Sequence, residues 1–144
     1  MQYIVAETKK RDGIFGAAVV LGGEIVAFGT NRIFEEQDPS AHGEVVAIRK
    51  AAKKLGVVFP KGTVLYTTCQ SCPMCVATAI WAGIEKIYYS ASCEDNHKAG
   101  LSDRHVYAYL RGDEDPDVLE QEQILPKLAK TELLAIPRPR MYNY

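Results

Sequence analysis

Apolar residues along the chain switch between two rhythms, short unbroken runs and a three-to-four-residue spacing, and the switches mark the elements. Residues 2–10 read as a short helix ended by Asp12-Gly13. Phe15 to Leu21 is an apolar run of strand length, Gly22-Gly23 a tight turn, and Glu24 to Gly29 the hairpin partner. Asn31 to Asp38 is polar and reads as a loop. Pro39 then stands where a helix tolerates it, at the first position, with Asp38 or Ser40 as candidate cap. Val45, Ile48, Ala52 and Leu55 recur at helical spacing, and Gly56 supplies a stop. Thr63 to Thr67 reads as a buried strand, Pro73 opens an apolar helix through about Trp81, and Lys86 to Ala91 is another strand. Beyond that the pattern weakens to a short helix near 102–110, a polar turn at 112–117 and mixed pieces to Tyr144.

Helices that alternate with strands from the middle of the chain onward predict an α/β fold, a three-layer α/β/α sandwich. The opening hairpin makes its sheet mixed, with about five strands expected. The 144 residues, 47% of them hydrophobic, suffice for one domain that buries roughly two-thirds of its unfolded surface without disulfides. Residues 1–144 are therefore expected to form a single domain, with 137–144 as a carboxyl-terminal arm because Pro137 and Pro139 cannot continue a helix. No apolar run reaches the ~18 residues of a membrane span, and the amino terminus lacks the h-region of a secretory signal. A cytoplasmic protein is the expectation. With 17 basic and 18 acidic side chains the net charge is −1, which disfavours nucleic acid as a partner.

The cysteines narrow the chemistry. Cys69, Cys72 and Cys75 fall within seven residues, a poor spacing for a disulfide framework and a good one for a metal or redox site. Cysteines at i and i+3 face the same way at a helix entrance, where unpaired amides favour thiolate. Two thiolates and the imidazole of His42 make three ligands and leave zinc's fourth tetrahedral position open for water, as in a catalytic site. Zinc brings the pKa of bound water down to about 7. Glu44 is then the neighbouring carboxylate able to carry protons. One difficulty is geometric: residues i and i+2 of a helix lie about 200° apart, so His42 and Glu44 share a target only if it lies off the helix end.

Other readings of the same residues stay open. Cys72 and Cys75 could be a redox pair or half of a structural zinc knuckle, and Cys93 could complete a set of four thiolates. Arg49, Lys50, Lys53 and Lys54 could steer an anion or be a solvated helix face.

Asp38-Pro39-Ser40-Ala41-His42-Gly43-Glu44 and Thr68-Cys69-Gln70-Ser71-Cys72-Pro73-Met74-Cys75 together resemble the H-x-E and P-C-x-x-C motifs of the zinc-dependent deaminases of bases and nucleotides, the cytidine deaminase-like superfamily. The likeness runs over roughly residues 14–110 and is nearest to the bacterial guanine deaminases. It implies zinc held by His42, Cys72 and Cys75, with Glu44 as proton carrier. Glu94-Asp95 through Ala99-Gly100 resembles a segment whose aspartate moves protons around the base, which implies Asp95 as a second acid/base. Phe15-Gly16-Ala17, Asn31 and Trp81-Ala82 also resemble that branch, implying that Phe15 and Trp81 wall the ring and Asn31 hydrogen-bonds it. Tyr142 or Tyr144 on the arm would close the site. Gly43 stands where the branch has alanine, and Gln70-Ser71 where it has Glu-Pro.

The activity implied is hydrolytic deamination of an amino-substituted nucleobase, guanine to xanthine first. Cytosine, a nucleoside, an aminotriazine or tRNA adenosine are alternatives, and a zinc-stabilised interaction module is the non-enzymatic one. A small aminoheterocycle and a second copy of the chain, as a homodimer, are the expected partners, and no membrane is.

Overall fold

The computed structural model describes residues 1–11, 13–58, 61–113, 119–125 and 127. The expected arm, with Tyr142 and Tyr144, lies outside them. In chain order the elements are α1 (Gln2–Lys9), β1 (Gly16–Leu21), β2 (Glu24–Thr30), α2 (Gly43–Leu55), β3 (Thr63–Cys69), α3 (Pro73–Trp81), β4 (Lys86–Ala91), α4 (Cys93–Lys98) and α5 (Arg104–Arg111).

The strands form one sheet in the order β2-β1-β3-β4, with β1 antiparallel to both neighbours and β3 parallel to β4. The mixed sheet is as expected, and four of the about five strands expected lie among the described residues. β1 and β3 are central, which is why their sequences, GAAVVL and TVLYTTC, are nearly unbroken in apolar and β-branched residues.

Alternation along the strands separates two faces. Ala17, Val19 and Leu65 point to one side, where they pack with Ala47, Ile48 and Ala51 of α2 and with Ala79 and Ala82 at the end of α3. Gly16 and Thr68 point to the other, against α1: a Cβ on Gly16 would stand 1.9 Å from Thr8 Oγ1. Helices therefore cover both faces. Farther along the second face Tyr66 and Tyr88 stack with ring centroids 4.8 Å apart.

α2 lies unusually close to β2. A Cβ on Gly29 would meet Gly43 O at 2.4 Å and Ala47 N at 2.6 Å, so only glycine lets strand and helix backbones approach this far. That approach fixes the height at which the first turn of α2 stands above the sheet. Lys50 Nζ and Lys54 Nζ donate to Phe28 O (3.3 Å) and Val26 O (3.0 Å) of β2, the edge strand. Two members of the basic cluster thus cover a sheet edge.

Two elements depart from expectation. α2 begins at Gly43 rather than at Pro39, because Asp38 and Ser40 bond to each other instead of capping a helix. α4 occupies residues for which the sequence predicts no element, and is held by a capping box: Ser92 Oγ accepts from Asp95 N, and Asp95 accepts from Ser92 N.

Candidate active site

Two helix entrances meet at one point. His42 is the N-cap of α2, in extended backbone (φ −66°, ψ 154°), and Cys72 is the N-cap of α3 (φ −68°, ψ 167°). Because His42 stands off the helix, its ring is not bound by the angular rule that separates i from i+2. Glu44, inside the first turn, can share its target. Pro39 is not what places His42; the turn from Asp38 to Ala41 does, ending with His42 N donating to Ser40 O (2.8 Å). Pro73 at the first position of α3 gives up no hydrogen bond and presets the turn that carries Cys75.

His42 Nδ1 lies 3.6 Å from Cys72 Sγ and 3.6 Å from Cys75 Sγ, and the three donor atoms fall within 4.8 Å of one another. Zn–S bonds of about 2.3 Å and Zn–N bonds of about 2.0–2.1 Å at tetrahedral angles space nitrogen and sulfur about 3.6 Å apart. The residues present fit zinc in distance and in donor type. Cys75 is fully buried, whereas His42 and Cys72 are half-exposed towards a cavity.

The electrostatics agree with a cation site. The Cys75 thiol beside Cys72, with His42 adding to it, outweighs burial and brings the Cys72 thiol down to about 4. Cys75 is driven the other way, by Cys72 first and by burial second, because two thiolates this close repel without a cation between them. His42 is raised, chiefly by Cys72.

Glu44 is 7% exposed, and burial pushes its carboxyl above the usual range. Ser71 lies close enough to oppose that rise; its Oγ is buried with no hydrogen-bond partner among the described residues.

Above these groups opens a cavity of about 960 Å³ that His42, Glu44 and Cys72 floor. Phe15 and Asn31 line it. Asn31 Oδ1 accepts from Ile33 N (3.1 Å), which leaves the amide nitrogen as the part able to donate to a bound ring.

Trp81 and Asp95 are not brought to this cavity. Trp81 is 58% exposed at the end of α3, and the Asp95 carboxylate is engaged with Ser92 in the capping box, which also lowers its pKa. Gln70, Asn96 and Asp103 line the cavity instead.

Gln70 Oε1 accepts from Cys93 N (3.1 Å) and ties α4 to the turn before Cys72. Tyr107 of α5 donates to Ser71 O (3.0 Å) and ties α5 to the same turn. Asp103, the residue before α5, adds to the electrostatic pull on His42. Sequence reasoning passed over it because one acidic residue in a polar stretch carries no spacing signal. Asp95, by contrast, carried a readable Ser-x-x-Asp box.

Residues 2–91 match the family model described as the cytidine and deoxycytidylate deaminase zinc-binding region. This chain belongs to that family. It is 43% identical over 95 residues to the guanine deaminase of Bacillus subtilis, a match covering 66% of this chain and 61% of that protein. It is also similar to the tRNA-specific adenosine deaminase of Aquifex aeolicus, 38% identical over 76 residues, covering 53% of this chain and 50% of that one. The X-ray structure of guanine deaminase from Bacillus subtilis superposes with a TM-score of 0.79 at 33% identity, over 90% of this chain and 84% of that chain. The chain spans about half to three-fifths of the length of these two curated relatives. Among the described residues no helix is long and apolar enough to cross a membrane.

Proposed function

We propose that the chain catalyses zinc-dependent hydrolytic deamination of an amino-substituted nucleobase, with guanine to xanthine and ammonia as its reaction. The carrying observation is the placement of His42, Cys72 and Cys75 at zinc-ligand spacing beside a buried carboxyl, on the floor of a cavity. Three protein ligands suit a catalytic zinc site, and the chemistry such an ion supplies is a water acidified to a pKa of about 7.

Glu44 does the proton work. A carboxyl raised by burial takes up a proton more readily than an ordinary glutamate, and the same oxygen that takes a proton from water can deliver it to a ring nitrogen. The remaining hydroxyl proton then passes through the same carboxyl to the amine, and ammonia departs as the C–N bond breaks and the carbonyl forms. Phe15 on the wall gives a flat ring an apolar surface, and the Asn31 amide donates to a ring acceptor. Asp103 lines the same cavity and supplies a carboxylate able to accept ring N–H groups. Asp95 keeps a part in proton transfer only if its capping bonds open, so Glu44 carries the reaction in this reading.

The similarity to a tRNA adenosine deaminase supports a second reading, with tRNA adenosine as substrate. A net charge of −1 weighs against a polynucleotide, and Lys50 and Lys54 are already engaged with backbone carbonyls of β2. A homodimer accompanies the first reading: Ile80 and Trp81 at the end of α3 are 71% and 58% exposed and offer an apolar face to a second copy.

Ammonia release by zinc-loaded protein, measured over guanine, cytosine, nucleosides and a tRNA anticodon stem-loop, tests these readings. Guanine is expected to give the highest kcat/KM. Faster release from the stem-loop selects the second reading, and no release from any substrate leaves a zinc-stabilised interaction module.

A further inference from the structure

We propose that Arg49 is a positioning residue for the metal ligand His42, acting through Asp38 and Ser40 on the turn that carries the imidazole. His42 belongs to no regular element: it is the junction between that turn and α2, so its backbone angles decide where Nδ1 points.

The turn is bonded within itself. Asp38 Oδ1 accepts from Ser40 N (2.8 Å) and Ser40 Oγ (2.6 Å), and Ala41 N donates to Asp38 O (3.0 Å). None of these bonds ties the turn to the helix. Arg49 does: Nη1 donates to Asp38 Oδ2 (3.1 Å) and Nη2 to Ser40 Oγ (3.2 Å). Seven residues after His42, Arg49 stands about two turns along α2 on the same side as the N-cap, and reaches back over it. The two bodies that meet at His42 are thereby locked to each other. A planar fork with two separate donors suits this task, whereas a lysine ammonium would hold Asp38 as a point charge and release Ser40.

An exposed ion pair contributes little to global stability, and Arg49 and Asp38 are 52% and 33% exposed at their side chains. The place where such a lock has leverage is a coordination site, which tolerates displacement of only about 0.5 Å. The engaged guanidinium also withdraws one charge from the basic cluster on α2.

This inference rests on the zinc reading of His42, Cys72 and Cys75. Its test is zinc transfer from the full-length loaded protein to a colorimetric chelator, for wild type, R49A, R49K, D38N and the double variant D38N/R49A. Thermal unfolding of each metal-free protein is measured beside it.

R49A is expected to weaken zinc binding by about 10-fold or more, as loss of supporting contacts around a metal site does. R49K should recover part of the loss, the double variant should be no worse than the worse single one, and the metal-free melting temperatures of wild type, R49A and R49K should barely differ. If wild type retains zinc and R49A retains it equally well, or if the two single losses add, the positioning role is wrong while the zinc site stands. Should wild type itself take up no zinc, the donor set is misread and this inference falls with it.

Discussion

A carboxyl group that water cannot reach either keeps its proton or needs a cation beside it. Glu44, 7% exposed and two residues from His42, has both options at hand, and that is the condition for a proton carrier. Glu44→Gln keeps size and polarity but can neither take nor return a proton. It should retain zinc near one equivalent by elemental analysis while kcat falls at least ~100-fold, in line with loss of general acid–base catalysis. Near-normal turnover would remove Glu44 from the mechanism. Gly29 makes a different demand, since an alanine Cβ would stand 2.4 Å from Gly43 O and 2.6 Å from Ala47 N, both backbone atoms that cannot rotate away. Gly29→Ala should therefore lift the first turn of α2 and destabilise the protein by about 1–3 kcal/mol or more in urea unfolding. His42, Glu44, Cys72 and Cys75 were readable from sequence because each pair sits within one short motif. Asp103 and Asn96 reach the cavity only through the packing of α4 and α5, and nothing local announces that.

Helix entrances decide how these side chains are presented, and here turn chemistry overrides a simpler pattern. Pro39 is an acceptable first residue for a helix, yet Asp38 Oδ1 captures both Ser40 N and Ser40 Oγ, so the chain turns and α2 starts at Gly43. The periodic cores of α2 and α3 and the apolar runs of β1 and β3 were plain because burial sets their pattern. α4, with six residues and none buried, has no apolar stripe, and its capping box is the whole of its signal. The Asp38 turn also predicts a pH dependence. Bonds from Ser40 and Arg49 hold the Asp38 carboxyl at about 2, against an ordinary 3.8. A folded-state pKa below the unfolded one adds stability that is complete above about pH 4 and disappears as the pH falls to about 2. Asp38→Asn should therefore be less stable than wild type at neutral pH, with the difference closing between pH 4 and pH 2. Urea midpoints measured across that window check it; a gap that stays constant would mean the carboxylate charge contributes nothing.

The candidate metal site would also tie the fold together. His42 comes from the entrance of α2, which packs on β1 and β2, whereas Cys72 and Cys75 come from the entrance of α3, which follows β3. An ion shared among them would add a link between the two halves of the sheet, which the β1–β3 ladder and the connection through residues 56–62 already join. Binding to the folded state alone stabilises it by RT ln(1 + [L]/Kd), about 2.7 kcal/mol at a free zinc concentration of 100 Kd. For a domain of this size, each kcal/mol moves the melting temperature by about 2–4 °C, so chelation from that condition should lower it by about 5–11 °C. The ligands must be deprotonated to bind, so the shift should shrink as the solution is acidified, whatever Glu44 does. Scanning calorimetry of the zinc-loaded and chelated protein at two pH values separates this cross-link from catalysis. An unchanged melting temperature after verified loss of zinc would mean that α2 and α3 are held by packing alone, and that the ion serves the reaction without supporting the fold.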